Sequence, residues 1–290
     1  MHKRIRRITI HKRILRKVRN ELVYYLLKIL PNKKMVDEEI DDEPTIIIAL
    51  TSYPARFATL YAAIKSIMYQ TKRPNRVILY LDENVTENQI PKPLLRLKSF
   101  GLEIEKRPHY IKCHKKYFHA ITENPDAIVI TIDDDSMYYC NTIKLLYKAY
   151  KLHPDCVCAK RVHRMTFDVE GKLLPYNQWD HLATSVTEPS DMLMATGVGC
   201  VLYPPHSLPD ETFNVDQIER LSLGADDVWL MFMERLKGTR VLWVKNHHME
   251  PYQIPSTQST GLYLQNVDNS ENDVFIKNVI TEYNFEMRQA

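Results

Sequence analysis

Three consecutive aspartates, Asp133 to Asp135, are the residues in this sequence whose type and spacing most clearly indicate chemistry. They follow the apolar segment 127–132 (AIVITI), which is typical of a buried strand. Like charges repel at such close range and the end of a strand is partly desolvated, so the cluster is costly unless a cation compensates it. Hard divalent cations such as Mn²⁺ and Mg²⁺ prefer oxygen ligands. The triplet therefore predicts a metal site.

The geometry of an extended chain divides the triplet into two sides. Successive side chains of a strand point in opposite directions, so Asp133 and Asp135 are expected on one side and Asp134 on the other. Two carboxylates then face one ligand. An ordinary solvated or capping acidic turn is the alternative, because acidic loops are common.

The elements that must position the triplet alternate between strands and helices. This alternation predicts an α/β fold with a mostly parallel central sheet flanked by helices. Ligands of such sheets bind beyond the carboxyl ends of the strands, which directs attention to 51–56, Asp82 and the triplet. The predicted strands are 45–50, 76–81, 102–106, 127–132 and 240–244, and the predicted helices are about 56–70, 93–99 and 115–123.

The glycine and cysteine patterns exclude several protein classes. Only 7 glycines are present, and none lies in a GxGxxG or GxxxxGK[ST] arrangement, which disfavours a dinucleotide fingerprint and a P-loop. The 5 cysteines are odd in number and scattered, so they do not indicate a disulfide framework. We expect reduced cysteines and a cytoplasmic protein.

The N-terminal segment carries most of the positive charge. Residues 1–34 contain twelve of the 39 Lys and Arg residues and one of the 36 acids, whereas the remainder is mildly acidic. Apolar residues recur at helical spacing from Ile8 to Leu30, but the apolar stretches are too short to span a bilayer. A basic amphipathic helix on the cytoplasmic face of an anionic membrane is the favoured interpretation. A helix that packs on the domain or on a partner remains the alternative, and no motif indicates nucleic-acid binding.

Six segments of the chain, in this order and spacing, resemble the glycosyltransferase family 2-like enzymes of bacterial capsule and cell-envelope polysaccharide synthesis. The resemblance covers about residues 45–250. It implies a GT-A fold and metal-dependent, inverting transfer of a hexosyl group from a nucleotide sugar, with a UDP-sugar favoured, to a glycan or lipid-linked glycan acceptor. The segments are TIIIALTSYPAR (45–56), SIMYQT (66–71), LYLDE (79–83), IVITIDDD (128–135), GVGCVLYPP (197–205) and ADDVWL (225–230).

The resemblance assigns nucleotide binding to the ends of the first two strands. The loop after the first strand cradles the base and ribose in this family, and the matching residues here are Thr51, Ser52, Pro54 and Arg56. Asp82 matches the acid at the end of the second strand, which meets the base.

The resemblance also assigns the triplet. Asp133 matches the first acid of the DxD motif and would contact ribose or metal, while Asp135 matches the last and would ligate Mn²⁺ or Mg²⁺. Asp134 is expected to take part in binding the donor. The turn at Gly197 and Gly199 resembles the segment that lets the backbone approach the sugar or acceptor.

An acidic pair that opens a helix resembles the site of the general base in inverting members. Asp227 matches that base, but many members have Glu-Asp where this chain has Asp226-Asp227, so the choice between the two acids is open. The helix N-terminus is expected to lower the pKa of the base and keep it ionised. An ordinary helix cap is expected for one of the two acids.

Two weaker candidates complete the predicted site. His247-His248 follows the strand 240–244, and His247 is a candidate third metal ligand, since some GT-A enzymes supply a late histidine. Lys115-Lys116 precedes the helix that leads to the triplet, and Lys115 is a candidate phosphate or donor ligand. A plain loop histidine and a solvated helix start are the respective alternatives.

Three other functions compete with glycosyl transfer. A haloacid dehalogenase-type phosphatase or phosphotransferase also places Asp-x-Asp after a buried strand, but it normally has Thr or Val where this chain has Met137. A GT-A-like module that docks to a membrane without turnover is the second rival, and the retained acids argue against it. The third, a nucleotidyltransferase that makes an activated sugar, usually has a Gly-rich Arg/Lys loop after the first strand, and residues 51–56 lack one.

The domain organisation follows from these segments. We predict a basic amphipathic helical arm (1–36), an acidic linker (37–44), a GT-A glycosyltransferase domain (45–250) and a C-terminal extension (251–290).

Overall fold

A computed structural model describes residues 2–38, 43–108, 111–245, 250–255 and 271–287, with side chains from residue 14 onward. The helices are α1 (His2–Ile29), α2 (Phe57–Met68), α3 (Lys92–Leu95), α4 (Lys115–Glu123), α5 (Thr142–Leu152), α6 (Val215–Leu221), α7 (Asp226–Lys237) and α8 (Glu271–Tyr283). The strands are β1 (Ile46–Thr51), β2 (Arg76–Asp82), β3 (Leu102–Arg107), β4 (Ile128–Thr131), β5 (Ser136–Met137), β6 (Val157–Ala159), β7 (Val162–Arg164), β8 (Asp180–His181), β9 (Leu193–Ala195), β10 (Val201–Tyr203), β11 (Val241–Trp243) and β12 (Tyr252–Gln253).

A seven-stranded sheet of order β11-β6-β10-β4-β1-β2-β3 forms the centre of the molecule. Strands β4, β1, β2 and β3 are parallel to one another, and β6 is parallel to β11. Strand β10 is antiparallel to both of its neighbours, β4 and β6, so β6 runs in the same direction as β4. This arrangement confirms the predicted α/β class with a mostly parallel central sheet. The carboxyl ends of six strands therefore meet at one side, called the carboxyl edge below.

The apolar runs of the sequence form strands that are buried on both faces. In β1, Ile46, Ile48 and Leu50 pack on the side of α2, α3 and α5, whereas Ile47 and Ala49 pack on the side of α4. This two-sided burial explains why the strand is a continuous β-branched run rather than an alternating pattern. Burial of these apolar side chains stabilises the strand, and with it the position of the carboxyl edge.

Packing contacts join the central domain to the segments on either side of the predicted domain boundaries near residues 36 and 250. Leu27 of α1 packs against Ala62 and Ala63 of α2, and Met35 is fully buried in the main core. Helix α8 packs against α7, with Val279 fully buried. The amphipathic N-terminal helix is present, and no helix in the described part of the chain is long and apolar enough to cross a membrane.

Two small sheets flank the carboxyl edge. Strand β5 pairs antiparallel with β12, and the N–H of Ile254 donates to the carbonyl of Asp135 at 2.8 Å. Strands β8, β7 and β9 form a second antiparallel sheet, which continues the chain directly after β6. The first strand of each small sheet, β5 or β7, thus follows a strand of the central sheet, β4 or β6, at the carboxyl edge.

Candidate functional site

The carboxyl edge brings together the loop 51–56, Asp82 and the acidic triplet, as the position of the strand ends predicts. However, β4 ends at Thr131 and the triplet lies in the turn between β4 and β5. The prediction that strand alternation orients the triplet is therefore wrong. The side chains still differ in exposure, since Asp133 and Asp135 are 27% and 20% exposed and Asp134 is 10% exposed.

Asp134 is held by the loop that follows β1. The Ser52 hydroxyl donates to its Oδ2 at 2.6 Å, and Nη1 of Arg56 donates to its Oδ1 at 2.6 Å. Burial raises the pKa of Asp134, while the Arg56 charge and the Ser52 hydrogen bond offset part of this increase. The same Arg56 nitrogen lies 3.0 Å from Oδ2 of Asp135. The middle acid therefore ties the predicted nucleotide loop to the predicted metal turn.

The other predicted loop residues shape the backbone of this loop. The Thr51 hydroxyl donates to the carbonyl of Tyr80 at 2.9 Å, which fixes the end of β1 beside β2. Pro54 begins a short 3₁₀ helix, Pro54–Arg56, where its missing N–H costs no hydrogen bond. The turn places Arg56 against the triplet.

A second group of side chains is organised around Lys116. Its Nζ lies 2.7 Å from Oδ1 of Asp133 and 2.7 Å from Oδ2 of Asp226. Asp227 lies beside this pair, and its Oδ1 accepts a hydrogen bond of 2.9 Å from the N–H of Gly197. A Cβ atom on Gly197 would lie 2.6 Å from Nζ of Lys116 and 3.2 Å from Oδ1 of Asp227. Only glycine therefore fits at this position without displacing the charged groups.

The two acids of α7 differ in their protonation equilibria. Burial and the adjacent Asp226 raise the pKa of Asp227 to about 7, and Lys116 offsets only part of this effect. The prediction that the helix N-terminus keeps the pKa of Asp227 low is wrong, because desolvation and a neighbouring like charge outweigh the helix dipole. For Asp226, burial raises the pKa, but Lys116 and His114 reverse this and leave it below its usual value.

Asp226 does not act as a helix cap. The residue at the cap position of α7 is Ala225, and no side chain caps it. The carboxylate of Asp226 is instead paired with Lys116, which is 6% exposed. The capping interpretation is therefore wrong for Asp226, and an internal ion pair takes its place.

Lys115 and Lys116 are buried, which excludes the alternative of a solvated helix start. The Lys115 Nζ contacts Oδ1 of Asp82, the predicted base-binding acid at the end of β2. Tyr176 and Trp179, aromatic residues of a type that can stack on sugar rings, are 7% and 3% exposed and pack in the core.

Several positioning residues were missed by the sequence reasoning. The hydroxyl of Tyr138 accepts a hydrogen bond of 2.8 Å from the N–H of Asp133, and no local pattern signals this contact. Cys113 and His114 adjoin Asp226. The segment of Cys113 and His114 follows β3 at the carboxyl edge, so the rule that identified the other loops would have found it.

The donor chemistry of this edge fits a hard divalent cation. Asp133 to Asp135, Asp226 and Asp227 supply carboxylates, and Arg56 and Lys116 are the cations that contact them. Burial, with the charges of Asp133 and Asp134, raises the pKa of Asp135 to about 6. The five carboxylates outnumber the two cations that contact them, so negative charge is in excess at this edge. In the described ranges no three His, Cys, Asp or Glu side chains are grouped to hold a metal, and His247 lies outside those ranges.

One or two protein carboxylates are enough for a divalent cation when a phosphate group of the substrate supplies further ligands. Mg²⁺ in particular is bound through one or two carboxylates together with substrate phosphates rather than by a complete protein cage. The partly exposed carboxylates of Asp133 and Asp135 fit this kind of site.

Comparisons with solved structures identify the fold. A mannosyltransferase from Pyrobaculum calidifontis, solved with GDP-Man and Mn²⁺, matches with a TM-score of 0.54 and 13% sequence identity, over 97% of this chain and 76% of that chain. A CMP:2-keto-3-deoxy-manno-octonic acid synthetase solved with CTP matches with a TM-score of 0.41 and 10% identity, over 80% and 99% of the two chains. No protein-family profile and no curated protein matches the sequence. The first match supports a GT-A-like fold for the central sheet and its helices.

Proposed function

We propose that this protein is a metal-dependent, inverting glycosyltransferase that moves a sugar from a nucleotide sugar to a glycan or lipid-linked glycan acceptor. The observation that carries the proposal is the cluster of Asp133, Lys116, Asp227 and Gly197 at the carboxyl edge of the sheet. It places a carboxylate with a pKa of about 7 beside a partly exposed acidic turn with excess negative charge. The fold neighbour that was solved with GDP-Man and Mn²⁺ supports this proposal.

Asp133 and Asp135 are the residues that would hold the metal ion. A divalent cation bound there supplies Lewis-acid stabilisation for the charge that develops on a nucleoside diphosphate leaving group. Asp134 stays with Ser52 and Arg56 and fixes the turn between β4 and β5. The nucleoside would lie along the loop 51–56 and Asp82, at the ends of β1 and β2.

Asp227 is the general base in this proposal. A carboxyl group with a pKa near 7 is partly ionised at neutral pH, and its ionised form accepts a proton more readily than an ordinary carboxylate does. The N–H of Gly197 donates to Oδ1 of Asp227, so the Oδ2 atom does not take part in that hydrogen bond. As the acceptor oxygen bonds to the anomeric carbon, its proton moves to Asp227 and the nucleoside diphosphate departs from the opposite face. The configuration of the sugar is thereby inverted.

Lys116 positions the two halves of this machinery. Its ammonium group joins Asp133, in the metal turn, to Asp226, which precedes the base in α7. Because the amine is buried and paired on both sides, it holds these carboxylates at a fixed separation.

The first experiment measures thermal stability against UDP, GDP, CMP and their sugar conjugates, with and without Mn²⁺. A ligand at 100 times its Kd stabilises the native state by about 2.7 kcal/mol, so a selective nucleotide raises Tm measurably. We expect a Mn²⁺-dependent shift with one nucleoside diphosphate that Asp135→Asn abolishes. Asp126→Asn, at an acid whose side chain is 89% exposed, is the matched control and should retain the shift.

The same experiment separates the rival functions. Absence of a nucleotide shift combined with turnover of a phosphate ester would replace the proposal with a phosphatase. Absence of both binding and turnover would favour the non-catalytic module.

A further inference from the structure

Helix α1 presents two different faces between residues 14 and 29. One face packs on the domain, where Asn20 and Leu27 are each 7% exposed. The opposite face carries a row of apolar side chains that are 49% to 80% exposed, called the outer stripe here: Leu15, Val18, Leu22, Tyr25 and Ile29. The helix is therefore only half covered by the rest of the described structure.

The outer stripe is continuous. Its members are three, four, three and four residues apart, so they follow one line along the helix. At a rise of about 1.5 Å per residue the line is about 21 Å long. Ile14 and Leu26, which are 56% and 50% exposed, widen it. A contiguous apolar surface of this kind marks an interaction site in a soluble domain.

The charges beside the outer stripe identify what covers it. Residues 14–29 contain four cations and one acid, Glu21, and residues 3–13 add six further Lys or Arg residues in sequence. A second copy of α1 would bring these like charges together, whereas anionic lipid headgroups would attract them. We propose that the outer stripe docks onto an anionic membrane surface, with α1 lying in the plane of the interface. Of the four, Arg16 and Arg19 also contact residues of the domain, and Lys17 and Lys28 are the exposed cations that remain to meet lipid headgroups.

The inner face of α1 connects this docking surface to the carboxyl edge. Nη1 of Arg16 lies 3.2 Å from Oε2 of Glu250, and the guanidinium of Arg19 lies 4.8 Å from the ring centroid of Tyr252. The strand of Tyr252 pairs with β5, which directly follows the acidic triplet. Docking would thus leave only helix α1 between the lipid surface and the segment next to the proposed metal turn. That consequence rests on the proposed function, whereas docking itself does not.

The test is co-sedimentation of the full chain with two kinds of vesicle, one of phosphatidylcholine alone and one of phosphatidylcholine with phosphatidylglycerol. We expect salt-sensitive binding to the anionic vesicles and at least tenfold weaker binding to the neutral ones. Leu22→Glu, in the centre of the outer stripe, should weaken anionic binding at least tenfold. Leu152→Glu, at a leucine of α5 that is 70% exposed, is the matched control and should bind as the unmodified chain does.

A second variant and a mass measurement keep the proposal falsifiable. Lys17→Gln retains the apolar row and removes one exposed charge, so it should bind anionic vesicles more weakly without altering thermal stability. Equal binding of Leu22→Glu and the unmodified chain would overturn the proposal. A dimer in light scattering that Leu22→Glu dissociates, with no vesicle binding, would assign the outer stripe to a second copy instead. Because no turnover is measured, failure here is distinct from failure of the glycosyltransferase proposal.

Discussion

The aspartates at the carboxyl edge are of one residue type, but they lie in different environments. Asp134 is held by Ser52 and Arg56, Asp226 is paired with buried Lys116, and Asp227 has a pKa of about 7. Asp133 and Asp135 keep the largest exposed fractions of the triplet. Environment rather than residue type thus separates a positioning acid, a paired acid, a candidate proton acceptor and two candidate metal ligands.

The first prediction separates the two acids of α7. Asp227→Asn removes the proposed proton acceptor but retains an oxygen for the N–H of Gly197, so kcat should fall by about 10² to 10⁴ while the nucleotide-induced Tm shift persists. Asp226→Asn should reduce the Tm of the unliganded protein, because it leaves Lys116 buried with one carboxylate fewer. Glycosyl transfer rates and thermal unfolding measure both. An Asp227→Asn protein with unchanged kcat would exclude Asp227 as the base.

The second prediction concerns the space at Gly197. In Gly197→Ala, the added Cβ would lie 2.6 Å from Nζ of Lys116 and must displace it, so we expect at least a tenfold loss of kcat. Gly171→Ala is the control, because its Cβ meets nothing within 4 Å although its φ of +78° strains an alanine. The control should lose about 1 kcal/mol of stability and no activity. Full activity of Gly197→Ala would show that the position of Lys116 is not critical.

At the scale of elements, two loops from different strands are joined at Asp134, which accepts hydrogen bonds from Ser52 and Arg56. The loop after β1 and the turn after β4 meet where Arg56 contacts Asp134, and both side chains are 10% exposed. Removing one partner of a buried pair leaves an uncompensated charge, which costs more than the pair contributes. The third prediction follows from this asymmetry.

Arg56→Met should lower the free energy of unfolding by about 3 kcal/mol, and the double variant Arg56→Met/Asp134→Asn should recover part of that loss. Urea unfolding of the single and double variants measures the coupling. Arg164→Met is the control, because Arg164 and Asp180 form an ion pair at 3.4 Å with side chains 42% and 38% exposed. That pair is worth about 0 to 1 kcal/mol. Similar losses in Arg56→Met and Arg164→Met would mean that the loop and the turn are not held by Arg56.

The sequence predicts the longer elements well because burial imposes a pattern on them. Strands β1, β2 and β3 and helix α4 agree closely with their predicted ranges, since each has enough residues for its pattern of apolar side chains to be recognised. Strands β5, β7 to β9 and β12 have two or three residues, which is too few for any period to appear. The position of β10 between β4 and β6 depends on pairing between distant segments.

The same limit applies to the candidate site. The strand-end rule predicts which loops meet, so the acidic triplet, Asp82 and Ser52 were placed at one edge from sequence alone. It does not predict which charges pair there. Lys116 and Asp226 are 110 positions apart, and their contact depends on how α4 and α7 pack against the sheet. The sign of the pKa shift of Asp227 depends on that packing as well.

At the scale of the whole molecule, the sheet consists of two parts that meet between β4 and β10, where the strand direction reverses. The parallel part carries the acidic triplet and Asp82. The other part, with α7 packed against it, carries Gly197 and Asp227. Lys116 contacts an acid from each part. In the proposed reaction the donor would occupy the first part and the base would act from the second, as displacement from the opposite face requires.

The final prediction concerns acid stability, which depends on histidines buried throughout the fold. Burial, with smaller contributions from Arg161 and His181, lowers the pKa of His163 from 6.5 to about 2. Between these values the unfolded chain binds a proton that the folded chain does not, so the free energy of unfolding must decrease as pH falls below 6.5. One such histidine contributes about 1.4 kcal/mol per pH unit, and His163→Gln should reduce the slope of stability against pH by about that amount between about pH 6 and pH 4. Urea unfolding across this range measures the slope. His206→Gln, which replaces a ring whose side chain is 67% exposed, is the matched control. An unchanged slope in His163→Gln would show that His163 accepts a proton as readily in the folded protein as in the unfolded chain.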